Sequence, residues 1–188
     1  MKFKLVPEPP SPTANGADPG EETGDAGDVE SVLAEMQAAV PLVPGSEDDC
    51  CARLMRRRDL PSRDVARTWL TFLRALGLAE ETPSGFRRVR ESASLADLRR
   101  AFIESVYGAD VVAETLAQAD SENPLRVEDA FDALRDRVPT WERNRTDDWE
   151  SVWRERARRH LDWFVSLGLA ERRGGGYVPT DALAPEEV

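Results

Sequence analysis

A mainly α chain with small β-hairpins (α+β), built from two three-helix units in tandem, is what three features of this sequence predict. A 24-residue block is written twice: residues 63–86 read RDVARTWLTFLRALGLAEETPSGF and residues 154–177 read RERARRHLDWFVSLGLAERRGGGY. At a constant offset of 91 residues, ten positions are identical: Arg63/Arg154, Ala66/Ala157, Arg67/Arg158, Leu70/Leu161, Leu76/Leu167, Gly77/Gly168, Leu78/Leu169, Ala79/Ala170, Glu80/Glu171 and Gly85/Gly176. Apolar residues inside and ahead of each block recur at helical spacing. Each block then closes on Gly-Leu and a glycine-bearing turn, the signals of a helix end and a hairpin. A repeat this long is not a solenoid and suits two copies of one small domain.

The elements follow in order. Residues 7–27, PEPPSPTANGADPGEETGDAG, offer almost nothing to bury and predict disorder, so 1–27 reads as an acidic tail. The KFKLV stretch ahead of them could add an edge strand or fray. Asp28 is an N-cap candidate for VESVLAEMQAAV, whose apolar positions are Val29, Val32, Leu33, Met36 and Val40. Ser46, three residues before Asp49, approximates a capping box for EDDCCARLMRRR. Ser62 caps the next helix, with the stripe Val65, Ala66, Trp69, Leu70, Phe72, Leu73 and Leu76. Gly77 suits a left-handed C-cap with Leu78 folding back, and LAEET–PSG–FRRV reads as a hairpin. The first unit is thus expected over 28–91.

A second unit is expected over 92–180. SLADLRRAFIESV and ADVVAETLAQA read as helices either side of Gly108, and VEDAFDALRDRV as another. Thr146 is expected to cap a long helix from about Asp147 to Leu167, with Trp149, Val152, Trp153, Ala157, Leu161, Phe164 and Val165 on its apolar face. Gly168 ends it, LAERRGGGYVP forms the hairpin, and 181–188 is an acidic tail.

Composition restricts the partners. The net charge is −11, yet residues 50–91 carry ten arginines against five acids, +5. The only two lysines, Lys2 and Lys4, lie in the tail. An acidic, lysine-poor, alanine-rich chain resembles haloarchaeal proteins, which stay hydrated in multimolar salt through surface acids; a high-GC genome gives a similar bias. The N-terminus carries no secretory signal, and no apolar run approaches the ~20 residues that span a bilayer, so a cytoplasmic protein is expected. Cys50 and Cys51 are adjacent and read as two buried helix thiols.

Three helices closed by glycine and leading into a hairpin resemble a winged helix-turn-helix domain. In CCARLMRRRDLPSRDVARTWLTFLRALGLAEETPSGFRRV, residues 47–58 resemble its second helix, 62–76 its recognition helix and 78–90 its wing. The second copy resembles it over 154–179, behind a less standard turn at PTWERNRT. The whole chain is also similar to a haloarchaeal protein family that brings no activity with it. The resemblance implies binding of double-stranded DNA, mainly through the first unit, and transcriptional regulation.

A recognition helix reads base edges in the major groove while arginines and capping amides hold phosphates. The candidate contacts are Ser62, Arg63, Arg67, Thr68, Thr71 and Arg74 on the helix, with Arg87, Arg88 and Arg90 on the wing and Arg56, Arg57 and Arg58 alongside. The competing reading pairs these arginines locally with Asp59, Asp64, Glu80 and Glu81. Salt works against charge-driven binding, since affinity falls with a log–log slope of about −0.9 per phosphate neutralised. In the second copy acids interleave with cations, which suits a laced or partner-packed helix. Arg154, Arg158 and Asp162 are its candidate protein-contact residues, for a protein partner or a homodimer. A non-enzymatic scaffold of tandem winged helices is the alternative function.

No catalytic or metal constellation accompanies the repeat, and no cofactor is expected. His160, the only histidine, stands where the first copy has Trp69 and reads as a packed helix residue. One histidine and two adjacent cysteines do not make a zinc site of the usual spacing. The GGG at 174–176 lacks the following helix that a phosphate cradle needs. Trp69, Trp149, Trp153 and Trp163 follow helical spacing and read as core; Trp141 could anchor an interface.

Overall fold

The computed structural model describes residues 3, 6–10, 26–145 and 147–183, the side chains of 26–28 excepted. The expected disorder over 11–25, the tail beyond 183 and the Thr146 cap lie outside the described residues; the first helix begins at Ala26, so Asp28 falls inside it and not at its N-cap. The fold is mainly α with two small antiparallel hairpins. Its described residues divide into two compact units, one taking 3, 6–8 and 27–107, the other 9–10, 26 and 108–183.

Unit 1 contains α1 (Ala26–Ala39), α2 (Glu47–Arg58), α3 (Arg63–Ala75), β1 (Ala79–Thr82), β2 (Gly85–Arg88) and α4 (Leu95–Ser105). The Ser46 hydroxyl accepts from the Asp49 amide at 3.1 Å and donates to the Asp49 carboxylate at 2.6 Å, which fixes the start of α2. Ser62 does the same for α3, accepting from the Val65 amide at 3.2 Å. Gly77 then adopts φ +73°, and the amides of Gly77 and Leu78 reach the carbonyls of Arg74 and Leu73. That Schellman closure turns the chain back, so that β1 and β2 pair with Ala79 opposite Arg88.

Gly45 adds a third, one-residue strand. It exchanges both backbone hydrogen bonds with Phe86, at 3.0 and 2.8 Å. A Cβ on Gly85, whose φ is +120°, would overlap the Gly45 carbonyl. The identity of Gly85 and Gly176 between the copies therefore has a steric cause. Below the hairpin, Leu33, Leu54, Phe72, Leu73 and Phe102 are fully buried, each contributing roughly 1.5–3 kcal/mol. Cys50 and Cys51 are buried free thiols.

The sequence puts a boundary after Glu91, but the structure keeps α4 in unit 1. Phe102 meets Phe72 edge-on at 6.2 Å between ring centres, and neither is exposed. Part of the expected tail is also ordered. Phe3 pairs with the end of α4, donating to Ser105 at 2.7 Å and accepting from Tyr107 at 2.8 Å, and Val6 is buried. These two apolar side chains find a surface that the Pro/Gly-rich stretch after them lacks.

Unit 2 contains α5 (Ala109–Leu116), α6 (Val127–Arg135), α7 (Thr140–Arg143), α8 (Trp149–Ser166), β3 (Ala170–Arg173) and β4 (Gly176–Pro179), followed by a short 3-10 turn, Asp181–Leu183. The plan of unit 1 recurs. Gly168 (φ +67°) and Leu169 close α8 onto the carbonyls of Val165 and Phe164. Leu125 pairs with Tyr177 as Gly45 does with Phe86, at 2.8 and 2.9 Å. A Cβ on Gly176 would come within 2.8 Å of the Leu125 carbonyl oxygen.

The difference lies between the second and third helices, where α7 is inserted at the expected turn. Its Glu142 accepts from the indole of buried Trp153 at 2.9 Å and pairs with Arg156 at 3.1 Å. The Arg156 guanidinium also lies 4.6 Å from the Trp153 ring centre. Along α8, Trp153, Ala157, Leu161 and Phe164 are buried as expected, but Val152 is exposed, because it faces away from that stripe. His160 is buried, its Nδ1 donating to the Arg156 carbonyl at 2.6 Å.

Asp162 ties α8 to the second hairpin. It is 4% exposed and accepts from Tyr177 Oη at 2.7 Å, Arg172 at 2.7 Å and Arg158 at 2.5 Å. Burial, helped by the Asp162 carboxylate, pushes the Tyr177 phenol up to about 12. A raised pKa stabilises the fold fully below the ordinary phenol value near 10 and loses that contribution as pH rises towards 12.

Two predictions follow from this packing. Gly85→Ala should destabilise unit 1 by roughly 2 kcal/mol or more, read as a lower urea midpoint, whereas a change within about 0.5 kcal/mol would show that the Gly45 contact is not a constraint. Asp162→Asn should cost roughly 1–3 kcal/mol and lower the Tyr177 pKa in an absorbance titration. An unchanged Tyr177 would show that the carboxylate does not govern that phenol.

Candidate nucleic-acid interface

The buried stripe of α3 leaves Arg63, Asp64, Arg67, Thr68 and Thr71 on the other side of the helix, and none of the five is buried. Arg63 pairs with Asp48, and Arg67 Nε sits 2.8 Å from Glu47, with Asp64 at 3.8 Å. The side chains of the Arg63–Asp48 and Arg67–Glu47 pairs are 40–68% exposed, so each of these two pairs contributes about 0–1 kcal/mol. Thr68 donates to the Asp64 carbonyl at 2.9 Å, within its own helix. Ser62 is occupied as the cap.

Arg74 has a different task from the one the sequence suggests. Its side chain is 22% exposed, pairs with Glu81, and lies 5.1 and 5.3 Å from the Phe86 and Phe3 ring centres. It fastens the hairpin and the N-terminal residues to α3.

The hairpin cations divide. Arg87 pairs with Glu80 at 2.7 Å, and Arg88 donates to the Ala38 carbonyl at 3.3 Å. Arg57 and Arg53 reach the carbonyls of Ala38 and Ala39 at 3.5 and 3.4 Å, so three guanidiniums serve an α1 terminus with no basic residue of its own. Arg58 pairs with Glu35 at 2.6 Å. Among the described residues, exposed Arg56 and Arg90 make no ion pair or hydrogen bond. Of the four acids expected as local partners, Asp64, Glu80 and Glu81 serve, while Asp59 ends α2 in the left-handed region at φ +50°.

Unit 2 repeats the pairing with different acids. Arg154, aligned with Arg63, sits 2.6 Å from Glu128, which holds the second position of α6 as Asp48 does of α2. Arg158, aligned with Arg67, pairs with Glu155, aligned with Asp64, at 2.6 Å. Arg158 and Arg159 hold the Glu155 carboxyl down at about 2. The two cations common to both copies therefore come with their acids. Asp162 is an internal tie, not the exposed contact the sequence suggests, and Arg158 is bound to it.

Sequence reasoning missed Glu47, Asp48 and Glu128. Ser46-x-x-Asp49 marks a helix start and places Glu47 and Asp48 in its first turn, but nothing in the spacing shows that they face Arg67 and Arg63 across the helix-turn-helix corner. Burial raises both thiols, Cys50 to about 11, which keeps them protonated and weakly nucleophilic. Among the described residues no His/Cys/Asp/Glu group could hold a metal ion, and no helix is long and apolar enough to cross a membrane.

The sequence pattern of the halobacterial double winged helix domain matches residues 1–184. No curated protein and no solved structure matches the chain. With two winged-helix units built on one plan, and a family match that spans nearly all of its length, the chain belongs to the halobacterial double winged helix domain family.

Proposed function

We propose that this protein is a non-enzymatic, DNA-binding regulator that contacts duplex DNA through unit 1. The observation that carries the reading is the outward side of α3, where Arg63 and Arg67 sit in exposed pairs that phosphate oxygens can replace at little cost. The β1–β2 hairpin adds Arg87, in a similarly exposed pair, and Arg90. Base reading falls to Arg63, Arg67, Thr68 and Thr71. Arginine forks onto guanine O6 and N7, and each such pair gives about 1–3 kcal/mol of discrimination. Arg74, Arg88 and Ser62 support the surface from within.

A second reading rests on unit 2, where Trp141 of α7 is 58% exposed. A large aromatic presented at a surface suits a protein contact, which makes Trp141 a better anchor than Arg154, Arg158 or Asp162. Sedimentation of the native chain and of Trp141→Ala tests self-association: a dimer reduced to monomer in the variant supports it, and a monomer throughout counts against it.

For the DNA reading, Arg63→Ala/Arg67→Ala should weaken duplex retention at least about tenfold in a salt-titrated shift assay and flatten the salt slope by up to about 0.9 per lost phosphate contact, with the circular dichroism unchanged. Native protein that retains no duplex at any salt concentration would overturn the reading.

A further inference from the structure

The acids nearest the two outward arginines of α3, Arg63 and Arg67, come from one place, the first turn of α2. Glu47 takes Arg67 and Asp48 takes Arg63, while the cap itself is completed by Ser46 and Asp49 alone. Glu47 and Asp48 are thus not needed to make the N-cap hydrogen bonds, and their carboxylates lie against the cations that would meet phosphate. Unit 2 keeps one half of the arrangement, Glu128 on Arg154, at a position where the sequence offset between the copies changes. That recurrence argues for a built pairing in both units.

From this we infer that Glu47 and Asp48 act as an acidic brake on the nucleic-acid surface of unit 1, setting how tightly and how selectively it takes up a polyanion. The inference rests on the DNA-binding reading above. In the free protein the two carboxylates neutralise Arg63 and Arg67, so a phosphate backbone gains little long-range attraction there. On binding, a phosphate or base edge displaces each carboxylate, which then stands beside the ligand as a repulsive charge. Sequence-independent contact is penalised. A guanine that offers two acceptors to one guanidinium recovers the loss better than a single phosphate oxygen does. The brake therefore favours specific over non-specific binding. It also weakens with salt, because exposed pairs are screened and like-charge repulsion fades with them.

The test uses the full chain, random-sequence duplex DNA and a salt-titrated shift assay on four proteins: native, Glu47→Gln/Asp48→Asn, Arg63→Ala/Arg67→Ala, and the four substitutions combined. Circular dichroism and the thermal midpoint control for folding. The brake predicts that Glu47→Gln/Asp48→Asn binds random duplex about tenfold more tightly than native at low salt, with a steeper salt slope, and that the gain disappears in the combined variant. A gain that survives in the combined variant would place its origin elsewhere and overturn the proposal. Native-like binding by Glu47→Gln/Asp48→Asn, with weaker binding by Arg63→Ala/Arg67→Ala, would overturn the brake and leave the DNA reading standing. Retention by none of the four would overturn both. Should the amide variant lose its fold, Glu47→Ala and Asp48→Ala taken singly must each show part of the gain, or the proposal fails.

Discussion

Each unit depends on a chain reversal that only glycine makes cheaply. At Gly77 and Gly168 the third helix stops in the left-handed region, and the following leucine amide returns to a carbonyl five residues back. This sends the hairpin back towards the helix just completed. Gly85 and Gly176 then permit the approach of Gly45 and Leu125, turning a marginal two-stranded hairpin into a three-stranded patch tied to the start of the second helix. The hairpin in turn holds Phe86 and Tyr177, through which Arg74 and Asp162 bind hairpin to helix. Replacing either glycine pair would disturb everything downstream of it.

The two units solve the same fastening problem with opposite charges. In unit 1 a cation on the helix, Arg74, meets an acid and an aromatic on the hairpin. In unit 2 a buried anion on the helix, Asp162, meets a phenol and a guanidinium there. Burying a carboxylate is costly unless it is well paired, and three donors answer that cost. Unit 1 leaves its outward helix face polar and its cations in exposed pairs, while unit 2 commits Arg158 and Arg172 to an internal tie. The copies diverge in how far their arginines are released for outside use.

Most helices, the Ser46 and Ser62 caps and both hairpins are legible in the sequence, because each depends on local signals: serine ahead of an apolar stripe, Gly-Leu after it, glycine at the turn. The short α7 and the start of α1 ahead of Asp28 are not. What else the sequence hid was non-local. A single-residue strand at Gly45 or Leu125 has no period to read. The place of α4 in unit 1 turns on Phe102 meeting Phe72, thirty residues earlier in the chain. The site was legible as a list of cations and illegible as a circuit. Arg63, Arg67, Arg87 and Arg90 face outward, but Arg74 and Arg88 are consumed inside the unit. Likewise Asp162 reads as exposed because acids and arginines interleave along its helix, yet it is buried under contacts from the hairpin.

On the proposed function, unit 1, and not unit 2, exchanges its arginine–carboxylate pairs for nucleic acid. Arginine side-chain resonances followed by nitrogen–proton correlation while duplex DNA is added to the full chain test it most directly. The Nε–H signals of Arg63 and Arg67 should move with added duplex while those of Arg154 and Arg158 stay in place. Movement of the unit 2 signals with Arg63 and Arg67 unmoved, or no movement in any of them, would contradict it.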